Sequence, residues 1–143
     1  MEWVKFNLAP RFYEIDSYNM VNHMFYLSWF EMGRFAVAEK AGILSPRFKE
    51  EGFMFVVSEV NISYKKPVGF LDKVIVETAL LPAKACKLVF RHRIRSMIDK
   101  SIFCEGTTAT VCVQQGKMTL KLPEWIDTSI RNYIENIQKG YPI

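Results

Sequence analysis

The chain has 143 residues, of which 50% are hydrophobic, 14% aromatic and 24% charged. Nineteen Lys and Arg stand against 15 Asp and Glu, a net charge of +4. This composition excludes a disordered chain, which would combine low hydrophobicity with a lopsided charge. A chain of this length can bury one core without disulfide or metal, so we expect a single domain over residues 1–143.

The sequence predicts neither a membrane span nor a secretory signal. Its longest apolar run, residues 53–57, is far shorter than the roughly 20 residues that a membrane-spanning helix needs. The first residues lack the apolar stretch of a signal peptide, which favours the cytoplasm. Cys86, Cys104 and Cys112 form no CxxC or Cys/His motif, which argues against a disulfide framework or a zinc site.

Apolar periodicity predicts a strand, a helix, four long strands and a final helix. Residues 3–8 alternate apolar and polar side chains, which is typical of a strand. Residues 23–41 carry apolar side chains at helical spacing, with Asn22 as N-cap and Gly42 as stop signal. The later elements are a helical turn at 46–51, strands at 53–64, 73–81, 87–97 and 102–113, and a helix at 123–139.

These elements predict an α+β fold. The four long strands are expected to be consecutive and antiparallel, in a sheet of about five strands that includes residues 3–8. Helix 23–41 is the long element available to cover one face of that sheet. Its small residues, among them Gly33 and Ala38, would let the helix approach the strands closely.

The segment between the first strand and the helix carries the candidate catalytic residues. Asp16 lies seven residues before His23, where the helix start offers unpaired N–H groups and a positive dipole end. A carboxylate can attack a carbonyl or deprotonate a water. The backbone N–H groups of His23 and Met24 could bind the oxyanion that forms. Two alternatives stay open: Asp16 as a turn residue, and His23 acting through its backbone alone.

The same segment resembles the signature of hotdog-fold acyl-CoA thioesterases of the 4-hydroxybenzoyl-CoA thioesterase type. In that family an Asp and a short turn precede Val-Asn-His and a helix that continues Tyr-Leu-x-Trp-Phe-Glu. The matching residues here are Asp16, Val21, Asn22, Tyr26, Leu27, Phe30 and Glu31. The similarity continues through Tyr64, Pro67 and Asp72 to Leu122-Pro123, so it covers nearly the whole chain. It departs at Asn19 and Met20, where the family commonly has Gly and His.

The resemblance implies a hotdog fold with a long central helix, an antiparallel sheet and a C-terminal helix. It also implies an enzyme that hydrolyses a fatty or aromatic acyl-CoA to free acid and coenzyme A, with Asp16 as nucleophile or general base. We expect no metal and no cofactor, since coenzyme A is part of the substrate, and a homodimer or homotetramer. An acyl carrier protein thioesterase and a non-catalytic acyl-CoA binding module are the alternatives. A nucleic-acid binder is disfavoured, because no basic run is interleaved with aromatic residues.

Substrate-binding candidates lie on the helix and on two strands. They are Asn22, Tyr26, Glu31, Lys65, Lys66, Arg91 and Arg93. Glu31 could be a second catalytic carboxylate or a structural one. Arg91, Arg93 and Arg95 share one strand face and could bind the phosphates of coenzyme A, although such a row is more often a solvated or subunit-contact face. His92, on the opposite face, is predicted to be a core or interface residue.

Overall fold

The computed structural model describes residues 2–140, which form an antiparallel sheet with helices packed on one face. The strands are β1 (Val4–Leu8), β2 (Phe53–Tyr64), β3 (Val74–Leu80), β4 (Lys87–Ser96), β5 (Ile102–Gln114) and β6 (Lys117–Met118). The helices are α1 (Phe25–Lys40), α2 (Pro46–Glu50) and α3 (Glu124–Lys139), and a 3-10 turn spans Phe12–Glu14. The predicted α+β class and hotdog architecture are therefore confirmed.

The order of strands in the sheet is β1-β3-β4-β5-β2, with the two-residue β6 extending the β5 hairpin. The predicted antiparallel pairing is confirmed, but spatial order does not follow chain order. β2 does not pair with β3; it pairs with β5, from Phe53 opposite Gln114 to Tyr64 opposite Cys104. The two strands have nearly equal length, so β2 pairs along its whole length with β5. β2 forms one edge of the sheet.

α1 lies across the sheet and buries one stripe of side chains. The buried residues are Tyr26, Trp29, Phe30, Gly33 and Val37. The helical spacing of apolar residues in 23–41 also predicts Leu27 on this stripe, and that prediction is wrong, because 41% of the Leu27 surface is exposed. The close approach expected from small residues is confirmed at Gly33: a Cβ there would lie 2.0 Å from Thr78 Oγ1 on β3.

A buried polar cluster on the sheet packs against α1. The His92 ring stacks on Phe30 with centroids 4.2 Å apart. Its two nitrogens lie 3.0 Å from the hydroxyls of Thr78 and Thr108. Burial, with a smaller contribution from Arg34, lowers the pKa of His92 to about 3, so the ring is neutral at physiological pH. The prediction of a core histidine is confirmed.

α3 completes the apolar core beside the C-terminal half of α1. Ile126, Ile130 and Tyr133 are buried in a cluster that also contains Val37 and Leu88.

None of the helices within residues 2–140 is both long and apolar enough to cross a membrane.

Candidate active site

Asp16 lies in a tight turn that restrains one of its carboxylate oxygens. Its backbone N–H donates to the Met20 carbonyl at 2.8 Å. Its Oδ1 accepts hydrogen bonds from the N–H of Tyr18 at 2.8 Å and of Met20 at 3.3 Å. Asn19 supplies the positive φ of 61° that the turn needs, so the sequence departure at this position preserves the turn. Within residues 2–140 no donor meets Asp16 Oδ2, and this oxygen is available to a substrate or water.

The start of α1 presents a backbone donor close in sequence to that turn. Asn22 accepts at both of its oxygens: the carbonyl from Phe25 N–H at 3.0 Å, and Oδ1 from Met24 N–H at 3.1 Å. Asn22 therefore caps the turn that leads into α1. The N-cap position of the helix itself is Met24, which has no side-chain cap, so the predicted N-cap lies two residues too early. Met24 N–H is already engaged, whereas His23 N–H has no acceptor in the described part of the chain. Because N–H and C=O point in opposite directions across a trans peptide, His23 N–H points away from the helix.

Two tyrosines contact this helix start. Tyr64, at the end of β2, donates its hydroxyl to the His23 carbonyl at 3.2 Å. Its ring packs edge-on against His23 and Tyr26, with centroids 6.3 and 5.4 Å away. The buried Tyr26 hydroxyl accepts from Val68 N–H at 3.2 Å, and burial raises the pKa of Tyr26. Sequence reasoning assigned Tyr64 no role, although the tyrosine before Lys-Lys-Pro was part of the resemblance.

Glu14 ties the Asp16 turn to the helix. Its carboxylate is buried and accepts from Arg11 N–H at 2.7 Å and from Trp29 Nε1 at 2.8 Å. Its carbonyl accepts from Asn22 N–H at 2.8 Å. Glu14 thus connects to Arg11 and Trp29 through its side chain and to Asn22 through its backbone carbonyl. Sequence reasoning missed this residue, since nothing in its spacing marks it as buried.

A cavity of about 290 Å³ lies further along α1, between the helix, the segment after it and the sheet. It is lined mainly by apolar side chains: Phe35, Ala38, Ile43, Leu44, Phe48, Phe55, Val57, Leu88 and Phe90. Glu31, Arg34 and Thr110 supply its polar atoms. Glu31 is eight residues beyond His23, roughly 12 Å along the helix. The structure therefore places Glu31 at the cavity and not beside Asp16.

The two predicted lysines directly follow Tyr64. Lys65 Nζ lies 3.7 Å from a carboxylate oxygen of Glu105. Lys66 contacts the Ser101 hydroxyl and lies over the Phe103 ring, 4.7 Å from its centroid. Both side chains are exposed and lie one and two residues beyond Tyr64, the tyrosine that contacts His23.

The predicted arginines lie on the other face of the sheet. Arg91 and Arg93 alternate with His92, so they point away from α1 and Asp16. Arg93 pairs with the buried Glu77 at 2.7 Å and stacks over Trp3 at 4.0 Å. Arg91 is exposed. The structure does not bring these two residues together with the Asp16 turn.

A family model described as the thioesterase-like superfamily matches residues 10–130. The chain belongs to this superfamily. The resemblance inferred from the Asp16 segment is thereby confirmed, and the match includes both the Asp16 turn and the whole of α1.

Relatives of this thioesterase-like protein agree with that assignment. YneP of Bacillus subtilis (strain 168), provisionally named an acyl-CoA thioesterase, is 29% identical over 111 residues, which cover 78% of this chain and 80% of YneP. The chloroplastic acyl-acyl carrier protein thioesterase ATL3 of Arabidopsis thaliana is 22% identical over 133 residues, 93% of this chain and 70% of ATL3. A DHNA-CoA thioesterase from Staphylococcus aureus superposes with a TM-score of 0.84 at 21% identity, covering 100% of this chain and 98% of that one.

Proposed function

We propose that this protein hydrolyses acyl-CoA thioesters to a free acid and coenzyme A, with Asp16 as nucleophile or general base. The observation that carries the proposal is that, within residues 2–140, Asp16 Oδ2 accepts no hydrogen bond and His23 N–H, at the helix start that follows the Asp16 turn, has no acceptor. Hydrolysis needs both a base or nucleophile at the carbonyl carbon and a donor at the carbonyl oxygen.

The oxyanion is assigned to the start of α1. Negative charge develops on the thioester oxygen as its carbon becomes tetrahedral, and the N–H of His23 together with the positive end of the helix dipole stabilises it. Removing one such donor costs on the order of 10²–10³ in rate. The exposed His23 imidazole is a second group that can polarise the thioester.

Two roles of Asp16 fit the same geometry. As nucleophile, the carboxylate attacks the carbonyl carbon, the coenzyme A thiolate leaves, and water then hydrolyses the acyl anhydride to regenerate the carboxylate. As general base, Asp16 removes a proton from a water that attacks the carbon, and that proton leaves with the thiol. Both routes consume one water and give the same two products.

Replacing Asp16 by Asn tests the assignment. Asn keeps an oxygen to accept from Tyr18 and Met20 N–H, so the turn survives while the negative charge is lost. We expect kcat/KM for acyl-CoA hydrolysis to fall by about 10²–10⁴-fold with unchanged thermal unfolding. Glu135→Gln on α3, which removes one negative charge at an exposed position far along the chain, is the control. Unchanged turnover of D16N across short, long and aromatic acyl-CoAs would refute the role of Asp16.

An acyl carrier protein substrate is the second candidate, favoured by the similarity to ATL3. The thioester carbonyl is the same in both substrates, so the carrier attached to it determines which of the two the enzyme hydrolyses faster. Comparing kcat/KM for one acyl group on coenzyme A and on acyl carrier protein separates the two. Tight acyl-CoA binding without turnover by the native protein would instead select the non-catalytic binding module.

The remaining expectations extend this proposal. Lys65 and Lys66 are better placed than Arg91 and Arg93 to bind the phosphates of coenzyme A, because they directly follow Tyr64, whose hydroxyl contacts the start of α1. A homo-oligomer is supported by the exposed edge of β2. The cytoplasmic location and the absence of a cofactor stay predictions.

A further inference from the structure

Two of the three cysteines lie opposite each other at the start of β4. β4 and β5 pair in a register that places Lys87 opposite Val111. One residue earlier on β4, the same register places Cys86 opposite Cys112, and the Cys112 N–H donates to the Cys86 carbonyl at 2.8 Å. Directly opposed residues of an antiparallel pair have Cα atoms about 4.5–5.5 Å apart, which lies within the range of about 4.4–6.8 Å that disulfides span.

Both side chains are on the face of the sheet that carries the helices. Cys112 is fully buried there, in the apolar cluster that also contains Leu88, and the half-buried Cys86 packs against the same cluster. Alternation along the strand agrees, because Cys86 precedes Leu88 by two residues. The two cysteines therefore combine opposed positions with a shared face, and both thiols are free in the structure.

The turn before β4 holds Cys86 in this position. Lys84 and Lys87 exchange both backbone hydrogen bonds, at 3.1 and 2.8 Å, around the two turn residues Ala85 and Cys86. The Ala85 carbonyl also accepts from Leu122 N–H at 3.2 Å. The backbone on each side of Cys86 is thus hydrogen-bonded, so the pairing with Cys112 does not depend on a flexible loop.

The two thiols differ in how readily they are oxidised. Cys86 is partly accessible to solvent, whereas Cys112 is buried, and this burial raises the pKa of the Cys112 thiol. The thiolate is the form that reacts with peroxide, and it must be accessible to do so. Oxidation is therefore expected to begin at Cys86.

The third cysteine, Cys104, is too distant to join either of the others. It lies on β5 eight residues before Cys112, which is roughly 26 Å along a strand. The residue opposite it on β4 is Ile94, itself eight residues beyond Cys86. Cys104 is fully buried, and burial raises its pKa to about 12. It provides an internal reference for an unreactive thiol.

We propose that Cys86 and Cys112 are an oxidation site that forms a reversible disulfide when the protein is exposed to hydrogen peroxide. The Cys86 thiolate attacks one peroxide oxygen, the O–O bond breaks, and Cys86 sulfenic acid forms with release of one water. The Cys112 sulfur then attacks the Cys86 sulfur, the S–S bond forms, and the S–O bond breaks to release a second water. Two electrons pass from the thiols to one peroxide, and both thiol protons end in water.

The disulfide has two consequences, neither of which requires thioester hydrolysis. A sulfenic acid that finds no second thiol is oxidised further to sulfinic acid, which thiols do not reduce. Cys112 therefore protects Cys86 from irreversible damage. The bond also closes a loop of about 27 residues, which restricts the unfolded chain and stabilises the fold.

Peptide mapping of the native protein tests the pairing directly. After treatment with hydrogen peroxide, removed with catalase, we expect the intact mass to fall by about 2 Da through loss of two hydrogens. A digest without reductant should contain Cys86 joined to Cys112, with Cys104 alkylated after denaturation, and dithiothreitol should restore all three thiols. Cys86 recovered as sulfinic acid beside a free Cys112, or joined to Cys86 of another copy, would overturn the proposal.

Two variants that each remove one buried thiol form a matched pair. At the same peroxide dose, Cys112→Ala should gain about 32 Da as Cys86 becomes sulfinic acid, whereas Cys104→Ala should lose about 2 Da like the native protein. Cys86→Ser changes a half-buried turn position and keeps the test open if either core variant fails to fold; its Cys112 should stay free for alkylation. A disulfide in Cys112→Ala or in Cys86→Ser would contradict the assigned pair.

Thermal unfolding measures how well the native geometry accommodates the bond. We expect oxidation to raise the Tm of the native protein by about 5–10 °C, reversibly with dithiothreitol. Cys86→Ser should show no such rise under the same treatment. An oxidised native protein whose Tm is equal to or below that of the reduced protein would show that these two cysteines are not placed for a disulfide.

Discussion

The peptide between His23 and Met24 is held at both ends. Tyr64 donates to its carbonyl and Asn22 Oδ1 accepts from its N–H. The preceding peptide is held through the Asn22 carbonyl, which accepts from Phe25 N–H. These bonds together orient His23 N–H, the proposed oxyanion donor. Tyr64 thus acts as a positioning residue, through the backbone and without contact to the reacting atoms.

We expect Tyr64→Phe to lower kcat by about five- to tenfold with KM within a factor of two, since one neutral hydrogen bond contributes roughly 1 kcal/mol. The ring packing against Tyr26 is retained, so thermal unfolding should hardly change. Because Asn22 and Tyr64 act on one peptide, a double-mutant cycle with Asn22→Ala should be non-additive in kcat.

Tyr18→Phe, which alters an exposed tyrosine of the Asp16 turn, is the control for that cycle. Additive effects of Asn22→Ala and Tyr64→Phe, or a loss confined to KM, would show that the two residues do not position a common group.

Individual residues of the site differed in how well sequence could predict them. The role of the Asn22 side chain as an acceptor before the helix follows from local chemistry, although the N-cap position itself is Met24. Glu14 could not be identified, because its burial depends on Trp29, 15 residues away, which donates to its carboxylate. The engagement of Met24 N–H likewise depends on the rotamer of Asn22, which spacing along a chain does not specify.

Among the elements, α1 and β3 are in unusually close contact. Thr78 Oγ1 occupies the space where a side chain at position 33 would begin, and it also hydrogen-bonds His92 Nδ1 at 3.0 Å. Thr78 therefore cannot move aside without breaking a buried hydrogen bond. The sequence indicated the close approach through small residues but not which strand α1 would meet.

Two opposing effects decide the outcome of Gly33→Ala. Alanine gains about 1 kcal/mol in helix propensity over glycine, whereas forcing a methyl into a packed contact costs about 1–3 kcal/mol. With 2.0 Å between the new Cβ and Thr78 Oγ1, we expect the second to dominate and the free energy of unfolding in urea to fall by about 1–2 kcal/mol. Ser28→Ala, on the exposed side of α1, should be neutral or stabilising. A stabilised Gly33→Ala would show that the contact yields at no cost.

Element boundaries were predictable to within one or two residues, because apolar periodicity, Gly42 and the prolines mark them locally. The position of β2 in the sheet could not be predicted. Its pairing with β5 joins residues about 40 to 60 apart in the chain, and periodicity carries no information across that distance. The sequence correctly predicted that Arg91 and Arg93 share one face of β4, but the distance of that face from Asp16 depends on the topology of the whole sheet.

At the scale of the whole molecule, the 12-residue β2 forms one edge of the sheet, and no strand within residues 2–140 pairs with its outer side. Long edges with apolar side chains are rare in stable monomers, because they template pairing with other chains. Val56, Val57 and Val60 are exposed along it. The edge also ends at Tyr64, so a second copy bound there would lie beside the proposed active site. These features support an isologous dimer in which β2 pairs with its equivalent.

A lysine on this edge should disrupt such a dimer. We expect the native protein to sediment as a dimer or tetramer, and Val60→Lys to weaken self-association at least about tenfold, since an edge lysine opposes strand pairing at a cost of 1.4 kcal/mol or more. Leu120→Lys, which changes a residue 95% exposed and outside β2, controls for added charge. Activity should fall with dissociation and recover at high protein concentration, where mass action restores the dimer. A monomeric native protein, or Val60→Lys that associates like Leu120→Lys, would place any subunit contact elsewhere.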